Sequence, residues 1–174
     1  MRLLLVSLMA FGLFGLAGQG ALSRQNAPAD DPAALIKQFE GRWASDGKAF
    51  GASAQSEMIW AYALDDKFMR LDYRIEMTRE GGEASVFQGA AFYRLSDSAK
   101  LRAFWADNSG DLHPVSAEHD GSAIVSHWGE DGGKQGRTRY ELLGSGDMMV
   151  TDWIRTPEGW RQFNRNVFTR SSAD

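Results

Sequence analysis

From Gly41 onward the chain alternates apolar and polar residues with a period of two, and nothing else bounds its fold so tightly. The clearest stretch is Phe68 to Met77. Met69, Leu71, Tyr73, Ile75 and Met77 fall on one face, and Arg70, Asp72, Arg74 and Glu76 on the other. Strict alternation over this length marks a strand with one buried and one wet face. The polar face, with Asp72 between Arg70 and Arg74, reads as a solvated charge ladder. The preceding stretch, Ser56 to Leu64, sets Met58, Trp60, Tyr62 and Leu64 on one side, and Asp65-Asp66 turns the chain between the two.

The pattern repeats along the chain. Strands centre on Trp43, Trp60, Leu71, Phe87, Phe104, Val115, Val125, Tyr140, Val150 and Phe163. Turn signals separate them: Glu80-Gly81-Gly82, Ser96-Asp97-Ser98, Asn108-Ser109-Gly110, Asp120-Gly121, Asp131-Gly132-Gly133, Gly144-Ser145-Gly146 and Thr156-Pro157-Glu158-Gly159. About ten short strands joined by tight turns leave no length for crossover helices. The expected fold is all-β, an antiparallel up-and-down meander. Such a meander exposes its edges unless it closes, so a barrel is expected, with a two-sheet sandwich as the alternative.

One short helix precedes the strands. Asp31 is suited to cap it and Pro32 to open it. Leu35, Ile36 and Phe39 share a face over Ala33 to Phe39, and Gly41 is expected to end it.

The N-terminus reads as an export signal. Arg2 precedes an uncharged apolar run from Leu3 to Ala17, and small residues at Gly18, Gly20, Ala21 and Ser23 suit a cut after Gly20 or after Ser23. The run is shorter than the roughly 20 apolar residues of a spanning helix. The expected organisation is a signal peptide over 1–20, a flexible leader over 21–32 and one barrel domain over 33–174. The expected location is periplasmic or secreted, without membrane insertion after cleavage. With Cys 0, no disulfide can form, so core packing alone must hold the fold. The full chain sets 19 cations against 23 anions, and cleavage would remove the cation Arg2 as well, which argues against nucleic acid as a partner.

The order of helix, Gly41-Arg42-Trp43 and β-meander resembles the calycin plan of lipocalin-like barrels. Those proteins open their first strand with Gly-x-Trp and often lay an arginine of the last strand over the tryptophan. Here Arg165 or Arg170 is placed to supply it, and Trp43 is expected to be structural. The chain also resembles a family of small exported bacterial barrels of unassigned function, allied to the haem-binding nitrobindins. That likeness spans roughly Leu35 to Arg170. Nitrobindins hold haem through a histidine near the C-terminal end. This chain has no histidine after His127 and carries Asn164, Arg165 and Asn166 instead. No haem and no other cofactor is therefore expected.

Few residues suggest covalent chemistry. If Asp120-Gly121 is a two-residue turn, His113 and His119 share a face about 20 Å apart, and His127 points to the other. No three-histidine metal site then forms, and no metal is expected. There is no cysteine nucleophile, no Gly-x-Ser-x-Gly elbow and no phosphate loop. Asp152 is the notable carboxylate. It lies between Val150 and Ile154 on an apolar face, either as a buried functional acid or as an ion-pair partner of Arg165.

What remains is aromatic wealth: Trp 6, Tyr 4 and Phe 10. A barrel of about ten strands is wider than side chains alone fill. A cavity lined by aromatic residues and methionines is the usual small-molecule site. The expected function is burial of a small apolar or aromatic molecule in the barrel, without covalent chemistry. The wall candidates are Trp60, Met69, Tyr73, Phe87, Trp105 and Trp153, with Tyr62, Tyr73, Tyr93 and Tyr140 as polar tips. The rivals are an enzyme using Asp152 or His113 as acid–base group, and a filled envelope protein without a ligand.

Overall fold

The computed structural model describes residues 31–171. The expected signal peptide, and the leader as far as residue 30, lie outside them. Ten antiparallel strands form the fold: β1 (Gly41–Ala49), β2 (Ala52–Ala63), β3 (Phe68–Thr78), β4 (Ala84–Arg94), β5 (Lys100–Asp107), β6 (Leu112–Asp120), β7 (Ala123–Gly129), β8 (Gln135–Leu142), β9 (Met148–Thr156) and β10 (Gly159–Arg170). Each pairs with its chain neighbours, and β10 returns to β1, so the meander closes into a barrel.

The alternation read from the sequence sets the two faces. On β3, Met69, Leu71 and Ile75 are buried. On its outer face Arg70 pairs with Asp72 and Arg74 with Glu76, each at 2.6 Å. These exposed pairs contribute little stability, typically about 0–1 kcal/mol each.

The helix α1 (Pro32–Lys37) closes one end of the barrel, its base. The Asp31 carboxylate accepts from the Ala33 amide at 2.9 Å. A helix this short gains its stability from packing rather than propensity. It ends earlier than Phe39, with Gln38 as its cap, and Gly41 opens β1 instead of ending the helix. Leaving the helix lets Phe39 turn into the barrel, where it is fully buried and meets Trp60 edge-on at 5.3 Å.

Gly41, Trp43 and Arg170 form one packing unit at the base. The Trp43 indole is fully buried, and its N–H donates to the Phe39 carbonyl at 2.7 Å. The Arg170 guanidinium lies over the ring at 4.2 Å and donates to the carbonyls of Gln38 and Glu40. Gly41 has φ +126°, and a Cβ there would stand 2.7 Å from Arg170 Nη1. Only glycine suits both demands. Arg165 is elsewhere: its guanidinium reaches the Met149 sulfur on the outer face.

Two registers differ from the simplest reading of the strand pattern. Asp120 pairs with Ala123, so the β6–β7 turn is Gly121-Ser122 rather than Asp120-Gly121, and His127 pairs with Ser116. On β10 a bulge between Gln162 and Asn164 places Asn164 opposite Asp152 and Arg165 opposite Thr151. The bulge reverses the facing of the strand on either side of it.

The closing seam is short. β1 and β10 share only the pairs Trp43–Arg170 and Ala44–Thr169. Further along, the Asn166 side chain spans the gap and donates to the Lys48 carbonyl at 2.9 Å. Among the described residues no helix is long and apolar enough to cross a membrane.

Candidate functional site

The base is solid and the opposite half is hollow. Phe39, Trp60, Met58, Met69, Leu71 and Phe168 fill the barrel above α1. Beyond them lies a cavity of about 350 Å³, reaching from Tyr93, Tyr140 and Val150 up to the rim at Phe50, Ser109, Lys134 and Arg161.

Two tryptophans make the wall by the same device. Trp105 of β5 lies across Gly89 of β4, where a Cβ would be 2.0 Å from the indole. Trp128 of β7 lies across Gly136 of β8, where the distance would be 1.9 Å. The missing side chains let each rigid ring lie back against the neighbouring strand instead of filling the barrel. The Trp105 N–H donates to Asp107 at 2.9 Å, and Phe87 stacks on its ring at 6.2 Å. His113 lies 5.5 Å from the Trp128 ring. At the rim, Phe50 stacks on Phe163 at 5.9 Å and meets Phe87 edge-on at 5.8 Å.

The deep end is polar. Asp152 accepts from the Thr138 hydroxyl at 2.7 Å and from the Asn164 amide at 2.8 Å. The Asn164 carbonyl accepts in turn from Asn166 at 2.9 Å, and Asn166 also donates to Lys48 O. This relay fixes both amides, so Asp152 is held as an acceptor. Tyr93 Oη and Ser126 Oγ are 3.0 Å apart. The Tyr73 hydroxyl is buried and has no hydrogen-bond partner among the described residues; Ser56 lies near it on β2, outside hydrogen-bond geometry.

Burial sets the protonation of this end. It pushes the Tyr93 hydroxyl up to about 12 and raises Tyr73 and Tyr140 as well, so all three stay neutral phenols. Burial also raises the Asp152 carboxyl above its ordinary range, opposed by the hydrogen bonds from Thr138 and Asn164. A carboxyl whose folded value is raised binds more protons folded than unfolded within the window between the two values. Stability attributable to it therefore falls as pH rises through that window and is restored as pH falls. Asp152→Asn should lack this slope. In urea melts from pH 4 to 8, the variant should gain on the wild type as pH rises; a pH-independent difference would show that burial does not act on Asp152.

The sequence-expected residues divide. Tyr73, Phe87 and Trp105 line the cavity, as does His113. Trp60 and Met69 belong to the solid core below it, where Phe39 meets the Trp60 ring edge-on. Trp153 faces outward, since its neighbour Asp152 faces in. It packs under Arg137 at 4.6 Å, and Trp160 shares the same cation at 4.9 Å. The ion pair of Asp152 with Arg165 does not form, because the β10 bulge turns Arg165 outward. Tyr62 is exposed at the end of β2. Sequence reasoning misses Trp128, Phe50 and Phe163 as parts of the wall. Ile124, Ser126 and Trp128 do alternate around His127, which is a signal for Trp128. A bulky Phe50 beside Gly51 marks a turn residue retained for something other than turn geometry. Phe163 sits at the bulge, where parity carries no signal.

His127 lies outside, 3.6 Å from Glu118. Among the described residues no three histidine, aspartate or glutamate side chains gather as a metal-binding group. Neither a scan against models of protein families nor a search of curated proteins finds a match for this chain.

Proposed function

We propose that this chain is an exported, lipocalin-like barrel that binds a small, largely apolar molecule in its cavity, by burial and without covalent chemistry. The observation that carries the reading is the hollow of about 350 Å³ walled by aromatic rings above a solid base. A side-chain-filled envelope barrel has no use for two glycines that hold indoles back from its centre. Export rests on Arg2 and the apolar run Leu3 to Ala17, and the protein then acts in the periplasm or outside the cell. The excess of anions disfavours nucleic acid as a partner.

Burying about 300 Å² of apolar ligand surface contributes roughly 7 kcal/mol before the costs of association, so micromolar affinity is expected. The neutral fluorophore N-phenyl-1-naphthylamine should bind saturably, with energy transfer from Trp105 and Trp128. Ile75→Trp, which fills the cavity, should remove the signal. Absence of saturable binding to the folded wild type sinks the reading.

A second reading is favoured by the place of Asp152 at the deep end of the cavity: acid–base chemistry on the bound molecule. Turnover lost in Asp152→Asn with binding retained would support it.

A further inference from the structure

The deep end of the cavity points to a class of ligand, on the premise that the cavity binds one. Asp152 is a carboxylate drawn largely out of water, held by two neutral donors, Thr138 and Asn164, with no cation beside it among the described residues. A carboxylate so placed is costly unless a positive charge approaches it. The two described cations that reach the cavity, Lys134 and Arg161, belong to its exposed rim, and Lys134 is engaged by Asp111 at 3.1 Å. The other carboxylate of the wall, Asp107, is occupied by Trp105 and by Ser109. Tyr73, Tyr93 and Tyr140 line the same cavity, close enough for the Asp152 charge to act on their hydroxyls, and their neutral ring faces attract cations. The Tyr73 hydroxyl still lacks a partner among the described residues.

We propose that the cavity takes an ammonium group carried on a small aromatic or aliphatic body. The nitrogen sits among Asp152 and the tyrosines, and the body lies against the indoles of Trp105 and Trp128. An N–H bonded to a carboxylate is charge-assisted and shorter and stronger than a neutral hydrogen bond. The ligand would supply the cation that the fold omits.

Three probes of similar shape test this: 2-phenylethylamine, 2-phenylethanol and 3-phenylpropanoate, titrated calorimetrically at pH 7. The amine should bind about tenfold or more tighter than the alcohol, and the carboxylate weakest. In Asp152→Asn the amine's advantage over the alcohol should vanish. Equal affinities in the wild type, a preference for the carboxylate, or an amine preference that survives Asp152→Asn would each overturn the ammonium assignment and leave the cavity reading intact. Binding of none of the three to the wild type would overturn the ammonium assignment, and the N-phenyl-1-naphthylamine titration then decides the cavity reading separately. The wild-type series decides the matter even if the variant does not fold.

Discussion

Trp43→Ala is expected to lower stability by about 3–5 kcal/mol, the usual cost of removing a large aromatic side chain from a core. That is a large share of the roughly 5–15 kcal/mol that holds a typical domain. Three losses coincide: the buried indole area, the N–H bond to the Phe39 carbonyl, and the ring beneath Arg170. With no disulfide to limit the unfolded chain, nothing offsets them. Arg170→Met should cost less, because a cation over an indole is worth about 0.5–2 kcal/mol, to which the lost bonds to Gln38 and Glu40 add. Arg165→Ala, on the outer face, should stay within about 0.5 kcal/mol of wild type. Urea melts of the three variants should give midpoints in that order. A Trp43→Ala midpoint equal to wild type would show that the base is not built around this ring.

Gly89→Ala and Gly136→Ala should each cost about 1–3 kcal/mol, although each adds a single methyl group. The new Cβ would overlap a rigid fused ring, not the tip of a flexible chain. The indole must then swing toward the barrel axis, into the cavity. The effect on binding should therefore exceed the effect on folding. Each variant should lose most of its N-phenyl-1-naphthylamine signal under conditions where circular dichroism still shows the barrel. Unchanged binding in both variants would mean that Trp105 and Trp128 do not shape the cavity.

Most of the barrel was legible because its faces follow a period of two. β3 emerges with its expected facing, since Met69, Leu71 and Ile75 need only the pleat to be buried. The cavity was legible only in part. Facing is a local property, but depth along the barrel is not. Trp60 and Met69 have the right facing for a wall yet lie in the solid core, where Phe39 meets Trp60 in a contact that no alternation pattern encodes. Trp153 fails on a simpler ground: two adjacent strand residues cannot both face inward, so recognising Asp152 as inward already excludes it. The β10 bulge is the true blind spot. It moves Arg165 outside and Asn164 against Asp152, and no residue near Phe163 announces the extra step. The deep hydrogen-bond relay from Asn166 to Asp152 depends on that single irregularity.

The short seam between β1 and β10 has a consequence for how the chain reaches this state. Every other ladder joins consecutive strands and can zip from its own turn as a hairpin, with little loop to close. The seam alone joins the first strand to the last, so its loop is the whole sheet, and it offers two residue pairs in return. Assembly is then a run of cheap local steps followed by one expensive meeting of ends. Until that meeting, two raw strand edges are open to other chains, the state in which β proteins aggregate. Arg170, reaching across Trp43 to the carbonyls behind the helix, acts as the latch that ends this exposure.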